Sequence, residues 1–501
     1  MPPVHGAITV RETNEIGATT ATYIYSTTRE PVQLPTPGSS ENASVRHERR
    51  RVDIVPPSRK ESSSSLTSLL NVFLPVGYPH SVSDDYLEYQ IYDSLQAFSS
   101  SIAGLLASRA VLQGVGVGDA SASPTVALLH SVLQDSMGRI ATILFAHRLG
   151  TSLEPECKMY RLAADVLNDS AMVFDCLSPA FPKHLRIVVL ACSSVLRALC
   201  GVAAGSSKAS LSSHFARWGN LGELNAKDSS QETVISLLGM LCGSLVVSHI
   251  STPLATWTTL LFLLLVHLST NYAAVRSVNM TTLNRQRANI VFSTLFEDGS
   301  VLTPKQASKC ERIFERDGIL RWKASAATLG SCRIGVSFQE LLCASRGRVN
   351  SIRDVNIDIH RLLHLFRKEE YILWFNSRDK KGTIVLKNSV TPLSQLKAWS
   401  HALMVAKRLA GLRREEEEEA DSLSGKEGKG EKPTRRDQQR NENDSIANLT
   451  DPDTIFSILE STLHTHSTGF NGQIAMLKDA GWDVDTPSLE TRPARRFQIV
   501  E

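Results

Sequence analysis

Two consecutive stretches, 233–250 and 252–270, contain no Asp, Glu, Lys or Arg, and they constrain the fold more than any other part of the chain. Each offers about 18 uncharged residues, close to the roughly 20 that an α-helix needs to cross a hydrocarbon layer. The second has Leu260-Leu-Phe-Leu-Leu-Leu-Val266 at its centre. Between them His249-Ile-Ser-Thr-Pro253 makes a tight polar break, since proline ends one helix and suits the first turn of the next. The pattern predicts an apolar helical hairpin over 233–270. Lys227 flanks one outer end and Arg276, Arg285 and Arg287 flank the other. In a spanning hairpin those cations place both outer ends on the cytoplasmic side. The competing reading is a buried hairpin inside a soluble helical protein. Earlier runs carry charges mid-length, at Arg109, at Asp135 with Arg139, and at Arg197. A charge at the centre of a spanning helix costs roughly 2.5 kcal/mol or more unless it is paired inside a bundle. The expectation is that the hairpin enters the membrane and the earlier helices do not.

The rest of the chain divides by composition. Residues 1–62 are rich in Thr, Ser, Pro and Glu, hold the basic cluster Arg46-His-Glu-Arg-Arg-Arg51, and are expected to be a disordered tail. Residues 63–285 form a helical domain that includes the hairpin. It opens on Val72-Phe-Leu-Pro-Val-Gly-Tyr-Pro79, whose prolines disfavour helix in the residues before them. Helices are predicted at 93–113, 123–149, 158–177, 182–204, 207–218, 231–249 and 252–276. Residues 286–412 and 447–501 read as a small α+β domain. There Thr303-Pro304 opens a helix, Tyr371–Phe375 and Thr383–Lys387 form a hairpin, and helices follow near 391–411, 452–465 and 469–480. Residues 413–446, with Glu415–Glu419 ahead of a Lys, Gly and Arg-rich run, are expected to be a disordered charged insertion. The fold class is mainly α: a multi-helix bundle with a membrane-associated helical hairpin, then a small α+β C-terminal domain.

A net charge of +3 with scattered basic residues argues against nucleic acid as a partner. The partners expected are membrane lipids, with protein partners and a small-molecule ligand as open classes. Eight cysteines without a C-x-x-C pair read as buried thiols in a reducing, intracellular compartment. The N-terminus shows no secretory signal pattern.

Polar residues at helical spacing mark the candidate sites. Asp135 and Arg139 are four apart and share a helix face, as do Arg161, Asp165, Asn168 and Asp169. These either line a polar pocket or hold helices in register. Arg217, Asn220, Lys227, Asp228, Gln231 and Glu232 cluster in the loop before the hairpin, where they suit a headgroup or phosphate, or ordinary helix capping. Gly201-Val-Ala-Ala-Gly205 reads as a face for close helix packing. Gln113-Gly-Val-Gly-Val-Gly118-Asp119 lacks the strand and Gly-Lys-Ser/Thr of a phosphate loop and reads as an interhelical turn. No catalytic set, metal spacing or cofactor site is expected.

From Tyr160 to Glu232 polar groups are set among small and apolar residues, from Tyr160-Arg-Leu-Ala-Ala-Asp through Phe215-Ala-Arg-Trp-Gly-Asn220 to Ala226-Lys-Asp-Ser-Ser-Gln-Glu232. This stretch resembles the signature of the root UVB-sensitive family. Phe73–Pro79, Tyr86–Phe98, Arg109–Ser121 and Leu133–Gly150 extend the likeness, and Phe470-Asn-Gly-Gln with Gly481-Trp-Asp483 resembles the family's end domain. The resemblance implies a role in vitamin B6 balance, light tolerance and early development, with membrane or plastid association in some members. It carries no catalytic residue over. The leading expectation is a non-enzymatic, membrane-associated factor in vitamin B6 or small-molecule homeostasis. The alternatives are a transporter or carrier of a small anionic ligand, with Arg109, Asp135, Arg139 and Asp165 lining a path, and an enzyme on a pyridoxal-type or lipid substrate.

Overall fold

A computed structural model describes residues 8–13, 19–32, 45–55, 73–115, 124–325, 327–344, 357–426 and 451–499. The chain forms two compact units, one of Met1–Asp84 with Phe215–Gln231, the other of Asp85–His214 with Glu232–Glu501.

The first unit corrects the reading of the N-terminus. Strands β1 (Ile8–Thr13), β2 (Thr19–Val32) and β3 (Val45–Val55) form an antiparallel sheet in that order, pairing Ile8 with Tyr25 and Tyr23 with Ile54. Thr, Tyr, Ile and Val, the β-branched and aromatic residues favoured in strands, outweigh the polarity of the segment. The basic residues 46–51 lie within β3. In the same unit Val82 bridges Ala216, Ser83 donates to the Phe215 carbonyl at 3.0 Å, and Gln231 donates to the Phe73 carbonyl at 2.7 Å. Gly77, at φ 81°, packs against the Trp218 ring so closely that no side chain fits there.

The second unit begins with α1 (Tyr86–Val115), α2 (Pro124–Leu149), α3 (Cys157–Leu177) and α4 (Lys183–Phe215). They are followed by α5 (Leu221–His249), whose residues up to Gln231 belong to the first unit, and α6 (Pro253–Ser277). The two predicted helices at 182–204 and 207–218 are one, because Gly205 and its serine neighbours do not break a helix whose other residues support it. Thr252 caps α6 by accepting from the Ala255 amide at 3.3 Å, with Pro253 in the first turn. Helix α1 packs against both α3 and α6. Ala103, Leu106 and Ala107 of α1 meet Met172 and Cys176 of α3 and Leu260 and Leu264 of α6. Close approach to α5 uses Gly239-x-x-x-Gly243, not the predicted pair. A Cβ at Gly239 would lie 2.7 Å from Ser101 Cβ and 2.9 Å from the Phe98 carbonyl oxygen. Among the described residues, no atom beyond the helix's own nearby backbone lies within 4 Å of where a Cβ at Gly201 or Gly205 would be. The spacing was equal in both pairs; the neighbour differed.

Among the described residues four helical segments are long and apolar enough to cross a membrane: Tyr86–Gly114, Lys183–Phe215, Leu221–His249 and Pro253–Ser277. Two of these lie ahead of the expected hairpin. Only 11% of the apolar window of α5 is buried by protein. Leu237, Leu241 and Leu245 of α5, Leu254, Leu261 and Leu265 of α6, and Leu185 and Val188 of α4 all stand exposed.

Beyond residue 284 come α7 (Arg285–Asp298), α8 (Pro304–Cys310), α9 (Phe338–Ala344), α10 (Ile359–Leu365), α11 (Pro392–Lys426) and α12 (Pro452–Asp479). Thr303 caps α8 with Pro304 in its first turn, as its sequence predicts, and Gln306 completes a capping box. A mixed sheet runs β4 (Ile319–Arg321), β5 (Thr328–Ile334), β7 (Lys381–Lys387), β6 (Tyr371–Asn376), with β8 (Arg496–Phe497) beside β7. The predicted hairpin is β6–β7, antiparallel from Tyr371–Leu386 to Asn376–Lys381. Trp399, Phe292, Phe366 and Tyr371 fill the core between sheet and helices. Helix α11 carries the glutamate run through Lys426, because Glu, Arg and Ala are strong helix formers and no proline interrupts them. The rest of the expected insertion, and residues 116–119 of the glycine turn, lie outside the described residues. Helix α12 continues unbroken through Gly469 and Gly472, where two helices were expected.

Candidate functional site

Three helices each contribute polar side chains at one-turn spacing, and packing brings them into one buried cluster. Helix α1 supplies Tyr89, Asp93 and Gln96; α3 supplies Arg161, Asp165 and Asp169; α6 supplies His267 and Asn271. Positions i, i+4 and i+7 or i+8 fall on one helix face, so each stripe points the same way. Arg161 is the centre. Its Nη2 is 2.5 Å from Asp93 Oδ1 and 3.2 Å from Gln96 Oε1, its Nε donates to the Tyr89 hydroxyl at 3.2 Å, and its Nη1 is 3.4 Å from Asp165 Oδ1. Gln96 and Asn271 both donate to Asp165 Oδ2. Asn271 also donates to the Arg161 carbonyl at 3.3 Å. The fork of a guanidinium suits this work, since it holds two carboxylates and an amide at once.

The charges do not balance. Three carboxylates face one permanent cation, and Asp93, Asp165 and Asp169 are each only 5% exposed. Asp93 and Asp165 have donors. Among the described residues Asp169 receives none from an amide, hydroxyl or guanidinium; its close neighbour is His267, whose Nδ1 lies 2.7 Å from Oδ1. The other ring nitrogen of His267 is 3.5 Å from Asp165 Oδ2. Asn271, fully buried, leaves Oδ1 without a donor among the described residues.

A second ionic group ties the start of α3 to the C-terminal region. Lys158 Nζ is 2.6 Å from Glu311 Oε2, and Arg287 Nη1 is 3.3 Å from Glu311 Oε1. Burial alone would raise the Glu311 carboxyl, but Lys158 and Arg287 together hold it below the usual range. Arg285 pairs with Glu156 at 3.4 Å. Burial pushes the Cys157 thiol up to about 11, so it stays protonated and is a poor nucleophile.

The residues singled out in the sequence separate into groups. Arg161, Asp165 and Asp169 meet in the cluster, and Asn168 sits beside it, with its amide 3.4 Å from the Ser100 hydroxyl. Asp135 and Arg139 do not join them. Both are exposed on α2 and make no ion pair with each other, because the contact face of α2 is the one bearing Gly138, against Ser194 and Ala198 of α4. Arg109 lines no path with Asp165. Its Nη1 takes the Val247 and Ile250 carbonyls at 3.0 and 2.5 Å, capping the end of α5. In the first unit Arg217 pairs at the surface with Asp84 at 3.1 Å, Gln231 binds the Phe73 carbonyl, and Lys227 and Asp228 lie in the opening turns of α5. Asn220 precedes α5 with both side-chain polar atoms buried and without a partner among the described residues. Glu232, in the second unit, pairs with Lys208 at 2.6 Å.

Tyr89, Asp93, Gln96, His267 and Asn271 were missed. Tyr89, Asp93 and Gln96 lie in the stretch 86–98, which stood out only through the family likeness. His267 and Asn271 carry no formal charge at neutral pH and so passed unnoticed in and just beyond a run selected for lacking charge.

Residues 59–299 match the vitamin B6 photo-protection and homoeostasis domain. The chain is 42% identical over 258 residues to RUS family member 1 of Dictyostelium discoideum, covering 51% of this chain and 49% of that protein. It therefore spans about half the length of that relative. It is 33% identical over 346 residues to Protein root UVB sensitive 3 of Arabidopsis thaliana, covering 68% of this chain and 75% of that protein. With Protein root UVB sensitive 2, chloroplastic, of the same plant, it shares 26% over 354 residues, covering 70% and 76%. No solved structure matches the chain.

Proposed function

The chain belongs to the root UVB-sensitive family, and from that premise we propose that it is an integral membrane protein that serves vitamin B6 or related small-molecule homeostasis by binding rather than by chemistry. The observation that carries this reading is the inversion of its helical region. Large apolar side chains are exposed along α4, α5 and α6, while Arg161, Asp93, Asp165 and Asp169 are buried between helices. In water so much exposed apolar surface promotes association. In lipid the same arrangement is favourable, because ionisable groups within a bilayer face the bundle interior and pair there. In α1 and α3 Arg161 meets that condition with Asp93 and Asp165, which it pairs inside the bundle.

Extraction of membranes from expressing cells at alkaline pH tests the reading. The full-length chain is expected to stay with the lipid pellet; its release with peripheral proteins overturns integration. A carrier role draws support from the same cluster, whose unfilled acceptors lie at a junction of three helices. Uptake of pyridoxal phosphate or pyridoxine by proteoliposomes, abolished by Asp165→Asn, is the expected result for a carrier. No flux with either compound leaves binding without transport.

A further inference from the structure

Asp169 presents a problem that the rest of the cluster has solved. A buried carboxylate without donors is costly, and burying a charge is tolerated only when it is paired and hydrogen-bonded. Asp93 and Asp165 share Arg161; Asp169 has only the imidazole of His267. That imidazole lies between Asp169, 2.7 Å from Nδ1, and Asp165, 3.5 Å from Nε2. A neutral ring has one N–H and serves one carboxylate; an imidazolium has two and serves both. With three carboxylates against Arg161, the site is closer to neutrality when it holds the extra proton. Asn271 is the independent sign that something is held there. It donates to Asp165 and so is turned into the cluster, yet its Oδ1 is buried without a donor. Among the described residues no His, Cys, Asp or Glu group is arranged to hold a metal ion.

We propose that His267 and Asp169, with Asn271 and Asp165, form a proton-binding site within the helical bundle, taking up a proton on the imidazole that bridges the two carboxylates. The groups facing it are Asp165, Asp169 and Arg161 on α3, Tyr89 and Asp93 on α1, and the Cys200 thiol on α4. The proton moves from solution to the imidazole and back, and no covalent bond to carbon changes. As the ion that accompanies a small molecule, this proton would deepen the carrier reading above, on which that use rests; the site itself does not depend on it.

The test is infrared difference spectroscopy of the full-length protein in phosphatidylcholine vesicles, titrated from about pH 5 to about pH 9, the range in which histidine ordinarily changes charge. Wild type is expected to show imidazole and carboxylate bands changing together, with uptake of about one proton per chain. That joint transition should vanish in His267→Gln and in Asp169→Asn and persist in Asn168→Ala, which lies outside the site. A wild-type protein without any joint transition overturns the proposal, whatever the variants do. So does a transition that survives in both His267→Gln and Asp169→Asn. The readout needs no transport. Absent flux with the transition intact removes carriage and keeps the site, whereas a missing transition removes the site alone.

Discussion

Arg161 shows how one residue decides whether a bundle of this kind assembles. Its guanidinium is nearly out of solvent and touches Asp93, Gln96, Tyr89 and Asp165. Removing one partner of a buried ion pair strands the other and costs about 3–5 kcal/mol. Arg161→Met is therefore expected to lower the thermal midpoint of the detergent-purified protein sharply, or to prevent its accumulation. Asp93→Asn added to Arg161→Met should recover part of the loss, because one stranded charge is then gone. A double variant no more stable than the single would show that Asp93 is not the partner that matters.

At the scale of the helix, the two small-residue motifs make a controlled comparison. Gly239 and Gly243 let α5 approach α1 so closely that a Cβ meets Ser101, the Phe98 carbonyl and Leu105, whereas Gly201 and Gly205 face open space. Overpacking a fitted contact costs about 1–3 kcal/mol. Gly239→Val is expected to destabilise the protein by that order, read as a lower midpoint in scanning fluorimetry. Gly201→Val should leave the midpoint near wild type. The reverse order would mean that α4, not α5, makes the close contact.

Across the molecule, acid should weaken the C-terminal α+β region first. His401 is wholly buried, with Nδ1 3.0 Å from the Tyr371 hydroxyl and Nε2 2.9 Å from the Thr462 hydroxyl. Burial, then His466 and Lys397, hold it well below the ordinary histidine range. Burial likewise takes His466, 2.7 Å from the Ser400 hydroxyl, down to about 4 from 6.5. Both are depressed in the folded state, so the unfolded chain binds protons first as pH falls. Their contribution is complete above about pH 6.5 and, for His466, is lost progressively towards about pH 4. Each histidine adds a slope of at most about 1.4 kcal/mol per pH unit. Glu311, held below its ordinary 4.5, adds a later loss once the pH passes below that value. Urea unfolding followed by tryptophan fluorescence, with Trp374, Trp399 and Trp482 in this region, should show stability falling between pH 6.5 and 4. His466→Gln should flatten that fall; a profile level over this window in wild type would contradict it.

The character of the elements was written in the local pattern of the chain. Apolar period, proline and capping residues settle helices at local cost, so the run at 252–276, the box at Thr303 and the β6–β7 hairpin were readable from neighbours alone. So was the polar stripe of Arg161, Asp165 and Asp169. Only the tertiary structure decided what those stripes meet. Partners 65 or more residues away, such as Asp93 and Gln96 for Arg161, leave no trace in local spacing. Nor does local spacing say which of two equal glycine pairs, or which of two charged faces, Asp135 with Arg139 or Arg161 with Asp165, is turned inward. Desolvation acts on a group only once a second helix covers it, and that covering belongs to the packed chain.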